Sequence, residues 1–139
     1  MRKVAVVCNY ILKPDRIGGM DRFFRLFDTV LKEKGYMVDW FFTADTAFDF
    51  YNDLSICDAK NSSVEESFLE ASSNKTYDIV ITHFTELCTR FYKDLAFRNP
   101  NSYVIAVDHN PRPLRGFSLK KRLKKRIAGL LYGKYINQF

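Results

Sequence analysis

The chain has 139 residues, the usual length of one folded domain and too few for two well-packed ones. A hydrophobic content of 47% excludes a disordered segment, and Cys8, Cys57 and Cys88 show none of the spacings typical of zinc, redox or disulfide sites. Residues 109–139 contain nine Lys or Arg and no Asp or Glu, so the net charge of +6 predicts one local basic surface.

The first third of the sequence predicts a strand, a glycine loop, a helix and a second strand. Residues 3–9 are rich in valine and predict a buried strand of a parallel sheet. A loop over 10–19 ends in Gly18 and Gly19, and the one-sided apolar pattern that follows predicts a helix that ends near Gly35. Residues 37–42 predict the second strand, which makes a βαβ unit with parallel strands.

The rest of the sequence continues the alternation of strands and helices. Residues 54–58 are consistent with a short strand, and Ser63 has the capping-box spacing that predicts a helix over 64–72. Strands are predicted at 77–83 and 103–108, with a helix from a Thr85 cap to about residue 97 between them. Ser118 is expected to cap a last helix, with no strand predicted after it. The predicted fold class is α/β, a Rossmann-like three-layer sandwich with a mostly parallel sheet.

Polar residues follow three of the predicted strands at the point where each strand ends. Asn9 ends the first, His83 ends the fourth, and Asp108 ends the fifth and is followed by His109. Because the carboxyl ends of parallel strands meet at one edge, and ligands of open α/β sheets bind there, we expect the binding crevice at this edge.

Gly18 and Gly19 lie directly before the first helix. Bare backbone at a helix N-terminus lets a phosphate group approach closely, and the helix dipole favours its charge. The alternative is that the pair serves only a tight turn. The sequence contains neither a G-x-G-x-x-G nor a G-x-x-x-x-G-K-[ST] motif, which argues against a simple NAD or ATP site.

His83 and His109 are the only histidines of the chain. A single histidine is more often structural than catalytic, but two at the ligand-binding edge of one sheet favour a functional role. Candidates for a third metal ligand are limited to Glu86, Asp108 and Asp15, so no metal site is expected. No G-x-S-x-G nucleophile elbow occurs.

The basic segment interleaves its cations with leucines, which predicts a helix with an apolar stripe beside a cationic face. The stripe is expected to pack in the core and leave the lysines in water. The alternatives are docking on an anionic membrane or binding of an acidic ligand; nucleic acid is not expected, because no recognised binding motif accompanies the charge. The candidate surface residues are Arg112, Arg115, Lys120, Lys121, Lys124 and Lys125.

Three segments together resemble the N-terminal domain of a family 4, retaining GT-B glycosyltransferase. Residues 16–22 occupy the place of that family's Gly-Gly-x-Glu motif, with Asp21 where the family has Glu. Residues 77–83 are similar to its Asp-hydrophobic-hydrophobic-x-x-His strand, and residues 104–109 are similar to the strand that delivers a histidine to the cleft.

The resemblance implies transfer of a sugar from a nucleotide-sugar donor to a glycan or lipid-linked acceptor, as in polysaccharide biosynthesis, with no cofactor or metal. It implies that His109 is catalytic and that Gly18 and Gly19 approach the donor diphosphate. The implied residues of the acceptor cleft are Asp15, Asp21, His83 and Glu86.

The resemblance also implies that residues 1–139 form only the acceptor-side domain, since the donor-binding domain of the family has no counterpart here. The fragment alone is then expected to be inactive and prone to self-association. No signal-peptide core and no run of about 18 apolar residues occurs, which predicts a cytoplasmic location, with docking at the inner face of the membrane left open. The competing interpretations are a flavodoxin-like ligand-binding module and a membrane-surface interaction domain.

Overall fold

The computed structural model describes residues 1–43, 48–57, 63–109 and 113–139. The strands in these residues are β1 (Lys3–Cys8), β2 (Met37–Phe42), β3 (Ser55–Cys57), β4 (Ile79–His83) and β5 (Tyr103–Val107). The α-helices are α1 (Gly19–Glu33), α2 (Val64–Ala71), α3 (Arg90–Arg98) and α4 (Leu119–Tyr132). Short 3-10 turns occupy Asp49–Tyr51 and Gly133–Tyr135.

The strands form one parallel sheet in the order β3-β2-β1-β4-β5. The predicted α/β fold class is confirmed, and the helices on the two faces give a three-layer sandwich. The chain runs outward in opposite directions from the centre of the sheet, so the switch point lies between β1 and β4. Open sheets of this kind bind ligands beyond the carboxyl ends of the strands at that point.

Both faces of the central strands are covered, which is why they are almost continuously hydrophobic. Val4 and Val6 pack on one face with Phe24 of α1. Ala5 and Val7 point to the opposite face and pack in the cluster that includes residues of α2 and α3. The strict alternation of side chains along β1 thus divides the core into two layers.

The predicted start of the third helix is wrong. Thr85 does not cap it; α3 begins at Arg90, and Thr89 is its N-cap. Phe84 and Cys88 have positive φ angles of 58° and 56°, and such left-handed residues cannot continue a right-handed helix. The Thr85 hydroxyl is buried and lies 3.1 Å from the hydroxyl oxygen of Tyr92.

The last helix forms as predicted, but its environment differs from the prediction. The Ser118 hydroxyl accepts a hydrogen bond from the backbone N–H of Lys121 at 3.3 Å, which confirms the cap. Of the residues Leu119–Tyr132, none is buried. The expectation that the apolar stripe packs in the core is therefore wrong, because α4 turns that stripe away from the sheet and toward solvent.

A short segment after α4 pairs with the outer edge of β5, where no strand was predicted. Gln138 forms a parallel bridge with Ile105, and its carbonyl oxygen accepts a hydrogen bond from the N–H of Ala106 at 2.8 Å. The Asn137 side-chain oxygen accepts a bond from the N–H of Val104 at 2.7 Å. This edge of the sheet is therefore partly paired.

Candidate functional site

The two histidines meet at the predicted edge of the sheet. His83 is the last residue of β4, and His109 lies two residues beyond the end of β5. Their rings are joined between His83 Nδ1 and His109 Nε2 at 2.8 Å. At this distance one proton lies between the two nitrogens, so one ring donates and the other accepts. The sequence predicted the shared edge but not the direct bond.

His83 is the buried member of the pair, with only 3% of its surface exposed. Burial, and to a smaller extent the charge of His109, together lower its pKa to about 4. His83 is therefore neutral at pH 7. Its Nε2 atom is buried and has no hydrogen-bond partner among the described residues, which is unusual for a buried polar atom.

Aromatic rings enclose the pair. Phe84 stacks on the His109 ring with centroids 4.0 Å apart, and the rings of Phe23 and Phe24 meet the edge of His83 at 6.1 and 6.3 Å. Phe84 adopts its left-handed backbone conformation at this contact. A bulky residue in that conformation is strained, and such strain is concentrated at functional sites.

The glycine loop reaches the same site through α1, whose first two turns carry Phe23 and Phe24. Neither Gly18 nor Gly19 has a positive φ angle. A side chain at Gly19 would meet nothing within 4 Å, and one at Gly18 would make only an ordinary contact at 3.9 Å. Backbone conformation and internal packing thus give no reason for glycine here, so the tight-turn alternative loses its support. The backbone at the N-terminus of α1 is open to an external group.

Asp21 lies beneath the glycine loop and is fully buried. Its carboxylate accepts hydrogen bonds from the backbone N–H of Gly18 at 2.8 Å, from the Tyr10 hydroxyl at 3.2 Å and from the Tyr51 hydroxyl. Burial alone would raise the pKa of Asp21, but these donors outweigh it and hold the pKa below its usual value. Asp21 therefore fixes the loop from within.

A cavity of about 540 Å³ opens between the loop after β4, the end of β5 and α4. Glu86 and Asp108 line it from the sheet edge. The predicted cleft carboxylate and the predicted basic residues, which the sequence treated as separate features, thus meet in one cavity with more positive than negative groups. The lysines that line it are Lys120, Lys121, Lys124 and Lys125.

Two of the remaining predicted residues, Asp15 and Arg115, are not among those that line this cavity. Asp15 is exposed on the loop before α1, and Arg115 is exposed before α4. Arg112 lies outside the described residues. The sequence missed the contribution of Tyr10, Tyr51 and Phe84, whose only sequence signal is the high aromatic content.

Within the described ranges, no group of three or more His, Cys, Asp or Glu side chains is arranged to hold a metal ion. None of the helices in those ranges is long and apolar enough to cross a membrane. No family model matches the chain, and comparisons with curated proteins and with solved structures find no match either.

Proposed function

We propose that this chain is the acceptor-side domain of a GT-B glycosyltransferase that takes its sugar from a nucleotide-sugar donor. The observation that carries the proposal is the hydrogen-bonded pair His83–His109 at the switch point of the sheet. The N-terminus of α1, where Gly18 and Gly19 leave room for an external group, lies beside this pair. Phe23 joins the two parts, since it belongs to α1 and touches the His83 ring.

The N-terminus of α1 and the histidine pair have complementary chemistry. The Gly18 N–H is bonded to Asp21, but the dipole and the other first-turn N–H groups of α1 favour a diphosphate, which is the leaving group when the C1–O bond of the donor breaks. Nε2 of His109 is occupied by His83, so Nδ1 is the nitrogen that can contact a ligand. His83 acts as a positioning residue, because it holds the half-buried ring of His109 in one orientation.

The lysine-lined cavity favours an acceptor that carries negative charge. A phosphate-bearing acceptor fits this chemistry better than a neutral glycan. Its hydroxyl oxygen forms the new bond to C1 as the bond from C1 to the diphosphate breaks, and the departing diphosphate receives the hydroxyl proton.

The test is an assay of nucleoside diphosphate release from a panel of nucleotide sugars. We expect turnover by the protein that includes a donor-binding half and none by residues 1–139 alone. His109→Ala should lower kcat about 100-fold or more, while Arg90→Ala, at an exposed site on α3, should leave it unchanged. Absence of turnover, together with tight flavin or nucleotide binding by residues 1–139, would replace the proposal with a flavodoxin-like binding module.

Gly19 separates a functional role from a structural one. Gly19→Ala should keep or raise the free energy of unfolding, by up to about 1 kcal/mol, because alanine favours helix and meets no neighbour. Turnover should nevertheless fall, since a methyl group would stand where the diphosphate approaches. Urea unfolding and the same release assay measure the two effects. Unchanged turnover in Gly19→Ala would remove the glycine loop from the site.

A further inference from the structure

Helix α4 presents its apolar side away from the protein. Ala128, Gly129 and Tyr132 are its half-buried positions, and they mark the side that faces the body of the protein. The leucines and isoleucine point the other way, within an arc of about 120° at 100° per residue. This outer row consists of Leu119, Leu123, Ile127, Leu130 and Leu131, which are 49–82% exposed.

Cations border the outer row on both sides. By helical position, Arg122 and Arg126 lie along one side and Lys124 lies along the other, while Lys120 lies within the arc close to that second side. No acidic residue occurs between residues 109 and 139. An apolar surface that is flanked by cations is complementary to a partner surface that has an apolar interior and negatively charged groups around it.

We propose that α4 docks this protein on an anionic lipid bilayer, with the outer row entering the interface and the flanking cations contacting lipid phosphates. The helix has 14 residues and at about 1.5 Å per residue is long enough to lie in the membrane plane but not to cross it. A second copy is a poorer occupant, because two α4 helices packed row to row would bring cations of like charge together. This inference stands independently of the proposed enzymatic activity.

The experiment is flotation of residues 1–139 with two kinds of vesicle. One contains phosphatidylcholine alone, and the other contains about one third phosphatidylglycerol. We expect binding to the anionic vesicles only, and we expect it to weaken as salt is raised. Equal binding to both, or binding to neither, would overturn the proposal.

Two variants separate insertion from simple charge attraction. Leu123→Ser with Ile127→Ser should weaken vesicle binding at least about tenfold, because each side chain loses apolar burial. Phe97→Ser is the matched control, since Phe97 is 75% exposed on α3.

Arg122→Glu with Arg126→Glu should weaken binding at least about thirtyfold, since each cation near an anionic surface contributes about a factor of five. Lys13→Glu with Lys93→Glu makes the same change in net charge elsewhere and should have a much smaller effect.

Two further outcomes contradict the proposal. Full binding by the Leu123→Ser, Ile127→Ser variant would show that lipid is held by charge alone and that the outer row does not insert. A dimer in light scattering that this variant abolishes, without vesicle binding by the unmodified chain, would assign the row to a second copy. All of the substituted side chains are at least half exposed or on the surface, and unchanged thermal unfolding would confirm that the fold survives.

Discussion

Asp21→Ala is expected to lower the free energy of unfolding by about 3–5 kcal/mol, a large part of the stability of a domain of this size, because three hydrogen bonds to a charged group are lost. The substitution leaves the Gly18 N–H and the Tyr10 and Tyr51 hydroxyls without their common acceptor. Tyr51 is buried, so water cannot fully replace the lost bond. Urea unfolding at pH 7 measures the change.

A double-mutant cycle tests whether the cost arises from these bonds. Tyr51→Phe alone should cost about 1–2 kcal/mol, but in the Asp21→Ala background it should be neutral or stabilising, since it removes an orphaned hydroxyl. Asp15→Ala, on the same loop but exposed, should stay within about 0.5 kcal/mol of the unmodified protein. Additive effects of Asp21→Ala and Tyr51→Phe would show that the cost has another origin.

Stability is expected to fall by about 3 kcal/mol as the pH is lowered from 6.5 to 4, because of His83. Burial and the neighbouring charge of His109 lower its folded-state pKa to about 4, while the unfolded chain has the ordinary value near 6.5. At pH values between these two pKa values, the unfolded chain binds a proton at His83 and the folded protein does not. The free energy of unfolding therefore rises with pH in this range. The contribution of neutral His83 to the free energy of unfolding is complete above about pH 6.5 and is lost as the pH falls from 6.5 to about 4.

His83→Asn removes the titration while keeping an amide donor close to the position of Nδ1. The variant should lose some stability at pH 7 through its smaller volume, yet its stability should change much less between pH 6.5 and 4.5. The measurements are urea midpoints at several pH values and the NMR titration of the His83 ring. A titration midpoint near 6.5, or an unchanged pH slope in His83→Asn, would contradict the structural account.

The sequence predicted the parallel sheet well because its strands are short, apolar and followed by polar residues at one edge. The helix start at Thr85 was wrong because left-handed backbone at Phe84 and Cys88 has no composition signal. The prediction that the apolar stripe of α4 packs in the core was wrong for a more general reason. Periodicity shows that a helix has an apolar side, but it does not show what that side faces.

The candidate site likewise has features that the sequence predicts and features that it does not. The positions of His83 and His109 follow from strand ends, which the sequence marks clearly. Their direct bond, the burial of Asp21 and the lysine-lined cavity depend on how loops and α4 fold back on the sheet. Those contacts join residues far apart in the chain, and local patterns carry no information about them.

The central position of β1 has a consequence for how the chain folds during synthesis. Of the five described strands this one is made first, and β2 can pair with one of its edges soon after. Its other edge pairs with β4, and that pairing joins residues 75 positions apart. At ribosomal rates of about 5–20 residues per second, that edge waits about 4–15 s for its partner. Until β4 is made, the unpaired edge of β1 is therefore a site at which the nascent chain can aggregate.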